Sequence, residues 1–157
     1  MMLHNEHHFT ITTTWTGNRG TGTSSYRAYA RDHHISSGGK LAEIPCSSSP
    51  AFRGDSARYN PEELMIASLS ACHMLWFLHL CADAGIAVHE YRDDADGTMQ
   101  LNPDGSGQFS QVVLRPTVRL GDSSRAAETP ALHERAHHLC FIARSVNFPV
   151  LCEPASL

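Results

Sequence analysis

The sequence has no CxxC pair, no run of basic residues and no apolar stretch near its N-terminus. Each absence closes off a class of function. Only 12 Lys and Arg stand against 16 Asp and Glu, for a formal charge of −4, so neither a nucleic-acid backbone nor an anionic membrane surface is an expected partner. Residues Met1 to Thr14 are polar and His-rich, unlike a secretory signal or an Arg-rich transit peptide, and the expected location is cytoplasmic. Five cysteines is an odd number without disulfide-framework spacing, which leaves redox or metal chemistry open.

What is present suits one globular domain over residues 1–157, with 41% hydrophobic and 18% charged residues. The expected fold class is α+β. Phe9, Ile11, Thr13 and Trp15 alternate on one face of a first strand, and Ser24 to Arg31 reads as its hairpin partner after a Gly-rich turn. His34 to Ile44 is a weaker third strand, and Pro45 to Tyr59 a loop. Asn60-Pro61-Glu62-Glu63 is a strong helix start: Asn60 caps, Pro61 suits the first helical position and Glu63 completes a capping-box-like pair. The helix runs to about Ala84 and stops at Gly85. Its core from Leu64 to Ala82 has no formal charge, but two serines and two histidines interrupt it and its flanks are acidic. A central helix buried on every side is therefore expected in place of a membrane span. Ile86 to Leu101 and Ser110 to Leu120 read as a second, long hairpin, edge-placed or bulged at Pro116. A second helix begins at Thr129-Pro130, and Asn147 to Val150 suggests a closing strand.

Among the cysteines, Cys81 lies nine residues after Cys72 and so on the opposite helix face, where it is expected to pack. Cys46 and Cys152 have no activating charge or local partner in sequence. Cys140 follows a helix ending in Ala136-His137-His138-Leu139 and precedes a further helical turn, which places it at a possible helix N-terminus, where thiolates are favoured. A metal reading exists beside the thiol one, since His137, His138 and Cys140 cluster and His73 neighbours Cys72. Adjacent histidines on a helix diverge by about 100°, however, and the spacing matches no standard zinc pattern.

Three stretches in this order resemble the OsmC/Ohr family, the osmotically inducible protein C and organic hydroperoxide resistance proteins. They are Asn18-Arg19-Gly20-Thr21-Gly22-Thr23, then Asn60-Pro61-Glu62-Glu63-Leu64 with Ala71-Cys72 following, and Ala136-His137-His138-Leu139-Cys140. The resemblance implies a curved antiparallel sheet wrapped around central helices in an intertwined homodimer. It implies a thiol peroxidase for organic hydroperoxides in which Cys72 is peroxidatic, Cys140 resolves it, Arg19 is the activating cation and Glu62 orients the arginine. Arg27 and Arg31 are alternative sources of the guanidinium. No cofactor is implied, and the reductant is an external dithiol such as a dihydrolipoyl group. Phe141 stands where the best-known members have proline, and His73 where an aromatic residue is often found.

The residue types suit that chemistry in their own right. A thiol in mid-helix gains nothing from a helix N-terminus and burial disfavours its anion, so a cation must be brought to it. Arginine stays charged when desolvated and then needs a carboxylate. A non-catalytic OsmC-like stress protein or apolar-ligand binder, and a Cys/His metal protein, are the other classes compatible with these residues.

Overall fold

The computed structural model describes residues 6–156, and the chain divides into two compact units on either side of the Leu64–Met65 bond. The first unit carries a three-stranded antiparallel sheet, in the order β1 (Thr12–Trp15), β2 (His33–Ser36), β3 (Ile44–Cys46). Trp15 pairs with His33, and His33 in turn with Cys46. The first strand is thus partnered by residues beyond Arg31, and Ser24 to Arg31 is not a strand. That segment folds around one side chain: the Arg31 guanidinium donates to the Tyr26 and Tyr29 carbonyls, both at 2.7 Å, and lies over both tyrosine rings. These local contacts satisfy the backbone without a ladder. Gly17 sits so close to the returning chain that a Cβ there would fall 1.9 Å from the Ala30 carbonyl oxygen.

Helix α1 (Pro61–Asp83) opens as the sequence predicts. The Glu63 amide donates to Asn60 Oδ1 at 2.8 Å and the Asn60 amide to Glu63 Oε2 at 3.1 Å, a reciprocal capping box. Its far end closes at Gly85, whose φ of +68° lets the chain reverse so that the Ile86 amide reaches the Cys81 carbonyl. Within one chain the helix is buried along a single stripe, Leu69, His73, Phe77, Leu80 and Cys81, and not on every side; Met65 and Leu75 are exposed. The stripe packs on Val112, Leu114, Val118 and Ala136 in two adjoining clusters. By length and composition alone α1 is long and apolar enough to cross a membrane.

The second unit is dominated by the long hairpin, which is bent in the middle and shared between two sheets. Its arms are β4 (Val88–Asp93) with β5 (Asp96–Leu101), and β6 (Gly107–Leu114) with β7 (Pro116–Leu120). β5 pairs with β6 and β4 with β7, both antiparallel, and each pairing has a register shift. Pro116 sits where its missing N–H costs least, at the first position of a strand. The bend is fixed by Asp93: one carboxylate oxygen accepts the Arg115 amide and the other the Ser70 hydroxyl of α1, each at 2.6 Å. The closing segment gives β8 (Val150–Cys152) and β9 (Ala155–Ser156), which join β6 and β7 in parallel. Between them and the hairpin lies α2 (Thr129–Leu139), preceded by a 3-10 turn.

Candidate active site

Cys72 lies on the fourth turn of α1, half-buried, and faces a groove of about 340 Å³ lined with Leu75, Trp76, His79 and Phe141. The helical members follow Cys72 at three, four and seven residues, the spacing of one face. Phe141 comes from the end of α2 and meets Trp76 edge-on, ring centroids 5.6 Å apart.

Cys140 precedes Phe141 and is buried. Its thiol neighbours that of Cys72 closely enough to be perturbed by it. The structure therefore brings together the two cysteines separated by most of the second unit. Burial, followed by the neighbouring Cys72 thiol, pushes the Cys140 thiol up to about 11. The expectation of a helix N-terminus is corrected here: Cys140 is the residue that ends α2, with extended backbone angles of φ −66° and ψ 110°. Its sulfur nevertheless accepts the Ala143 amide at 3.4 Å, because the chain turns immediately into a short 3-10 segment.

Arg19 and Glu62 belong to the first unit. Arg19 is exposed at the tip of a turn in which Asn18 Oδ1 accepts the amides of Gly20 and Gly22 at 2.9 and 3.0 Å. Arg27 is exposed as well, and Arg31 is committed to its two tyrosines; neither lies on a strand. Glu62 Oε2 is buried without a hydrogen-bond partner among the described residues. A residue the sequence reading passed over is Arg58, half-buried 3.8 Å from Asp32 and 3.6 Å from Asp55, with its Nη1 buried and unpartnered. An arginine two residues before the helix cap was the available signal.

The remaining cysteines divide. Cys46 is fully buried at the end of β3, not in a loop, and Cys81 packs in the core, where burial pushes its thiol up to about 11. Cys152, expected to lack a partner, lies in β8 with its sulfur 3.5 Å from His73 Nε2, and that nitrogen is 3.0 Å from His133 Nδ1. His73 is thus a fully buried polar residue with its own partners.

Residues 54–154 match the family model described as OsmC-like protein, a span that includes Glu62, Cys72 and Cys140. No curated protein matches the chain. Among solved structures, an OsmC-like protein of unknown function from Vibrio cholerae is 31% identical, with 96% of this chain and 100% of that one covered and a TM-score of 0.86. An organic hydroperoxide resistance protein from Elizabethkingia anophelis is 21% identical over 97% of this chain and 99% of its own, TM-score 0.68. One from Bacillus subtilis is 22% identical over 94% and 98%, TM-score 0.62. The last two show a shared fold. With the family model covering well over half of its length, the chain belongs to the OsmC-like family.

Proposed function

We propose that this protein is a thiol peroxidase that reduces organic hydroperoxides to alcohols, in defence against oxidative stress in the cytoplasm. The observation that carries the reading is the contact between a half-buried thiol opening on an apolar groove and a second, buried thiol. The Cys72 thiolate attacks the terminal O–O bond, leaving Cys72 sulfenic acid, while the alkoxide takes a proton and departs as alcohol. Cys140 then attacks the sulfenic sulfur, water leaves, and a Cys72–Cys140 disulfide forms. An external dithiol, lipoyl or otherwise, exchanges with that disulfide and restores both thiols. The apolar lining favours alkyl or acyl chains over hydrogen peroxide.

In this reading the roles follow from accessibility. Cys72 meets the substrate in the groove, and Cys140 waits beneath it within reach of the oxidised sulfur. A guanidinium must hold the attacking thiolate, supplied by Arg19 or by Arg58, with Glu62 as its carboxylate. Glu62 and Cys72 are ten residues apart on one helix, about 15 Å along its axis, farther than a glutamate can direct an arginine. A homodimer in which one subunit's Arg–Glu pair completes the other's cysteine site meets the requirement. The exposed apolar residues Met65, Leu75 and Phe141 support it as surface that a second copy would cover.

The test is a coupled assay with cumene hydroperoxide, tert-butyl hydroperoxide and hydrogen peroxide, each with dithiothreitol and with dihydrolipoamide. Mass spectrometry follows the cysteines. Turnover lost in Cys72→Ser, with a single oxidation per subunit in Cys140→Ser, supports the assignment. Wild-type turnover in Cys72→Ser ends it.

A further inference from the structure

We propose that His73, His133 and Cys152 form a binding site for a divalent metal ion of the zinc class, separate from the Cys72–Cys140 pair. The three come from α1, α2 and β8, and their ligand atoms, His73 Nε2, His133 Nδ1 and Cys152 Sγ, lie within 4.8 Å of one another. A tetrahedral zinc at its usual bond lengths holds two nitrogens about 3.3 Å apart and a nitrogen and a sulfur about 3.6 Å apart. The corresponding distances here are 3.0 and 3.5 Å. A mixed imidazole and thiolate donor set suits zinc and its borderline-soft neighbours, and excludes magnesium and calcium as preferred occupants.

The surroundings are also those of a cation site. Both rings are buried, and burial favours the neutral imidazole, the form that ligates zinc. Their lone pairs are therefore available at neutral pH. Asp93, near enough for its charge to act on both His73 and Cys152, balances with the thiolate the two positive charges of the ion. Two buried side-chain atoms without hydrogen-bond partners among the described residues, Tyr91 Oη and His137 Nδ1, belong to residues near Cys152 and His73. Unsatisfied groups beside such a site are what water bound to an ion explains. A cavity of about 400 Å³ lined by His133, Glu134, His137 and Cys152 leads to the site, leaving a fourth position for water.

Without metal the two imidazoles share a proton. Their planes differ by 1° and their centroids lie 5.3 Å apart, close to the N···N distance plus the two ring radii, so the rings meet edge to edge and are not stacked. The entering ion replaces that hydrogen bond. Each ring turns its lone pair towards the metal, the proton between them moves through solvent to the donor ring's other nitrogen, and the Cys152 thiol proton is released to water.

Reduced, chelator-stripped protein titrated with Co²⁺ tests the site. Expected is one equivalent bound with a thiolate-to-cobalt charge-transfer band that Zn²⁺ abolishes by displacement. The band persists in a Cys72→Ser, Cys140→Ser double variant and is absent from Cys152→Ser. Should Cys152→Ser fail to fold, wild-type protein suffices: Zn²⁺ slows alkylation of Cys152 several-fold, as mapped by mass spectrometry, and leaves the Cys72 rate unchanged. No band at stoichiometric Co²⁺, a band that requires Cys72 or Cys140, or Cys152 alkylation indifferent to Zn²⁺ each overturns the proposal.

Discussion

Phe141 closes one side of the groove in front of Cys72 by resting edge-on against Trp76. The residue next to the buried thiol thereby becomes part of the surface that a substrate meets. Such an aromatic pair contributes roughly 0.5–1.5 kcal/mol beyond its buried area. Phe141→Ala is expected to raise KM for cumene hydroperoxide several-fold while leaving tert-butyl hydroperoxide less affected, since the smaller peroxide needs less of the wall. Steady-state kinetics on the two substrates measures this. An equal change for both would show that Phe141 serves position and not recognition.

The paired histidines make stability depend on pH. His73 and His133 are each drawn down to about 4, chiefly by burial, so they stay neutral in the fold while an unfolded chain protonates them near 6.5. The unfolded state binds more protons between those values, and stability falls as pH drops from about 6.5 towards 4. The loss approaches at most about 3 kcal/mol per histidine. Urea midpoints recorded from pH 8 to pH 5 in the presence of chelator should decline for the wild type and decline less steeply in His133→Asn, where the His73 contribution remains.

Asp93 holds the bend of the hairpin to α1 through two short hydrogen bonds. Asp93→Ala removes both acceptors and should cost about 2–3 kcal/mol, whereas Ser70→Ala, which deletes one donor, should cost about 1 kcal/mol. Chemical denaturation gives both numbers. A loss for Asp93→Ala no larger than for Ser70→Ala would place the anchoring of the bend elsewhere.

The shared-site reading is tested by complementation. Cys72→Ser and Glu62→Ala subunits, each inactive alone, should regain activity when exchanged into verified heterodimers, because one of the two sites then has every residue intact. Recovery approaching half of wild-type activity is expected. No recovery, or a fully active monomer, would show that the site is not assembled in that way.

The parts legible in the sequence were those set by neighbours along the chain. Asn60 and Glu63 announce the helix because a capping box needs only four residues, and Gly85 ends it because its φ suits few other residues. The Cys72 and Cys140 pair came from motif order, not from spacing physics. Three features stayed hidden. Ser24 to Arg31 has strand-forming composition, but one arginine between two tyrosines outcompetes the ladder. The long hairpin looks continuous because nothing local reveals that Asp93 will turn it. Cys152 has no partner nearby in sequence because His73 lies 79 positions earlier, and His133 is 60 positions beyond His73. Contacts at that separation are written in the packing of α1, α2 and β8, not in any local pattern.

Cys140 stands where α2 ends, in extended backbone that the helix no longer dictates. A bond drawn there tugs on a joint and spares the rod. In the proposed cycle the sulfur can swing towards Cys72 while α2 keeps its hydrogen bonds, so the oxidised and reduced proteins would share nearly one silhouette. A reductase could then recognise its client by surface alone and dock before any electrons move, with the oxidation state read only at the sulfur itself.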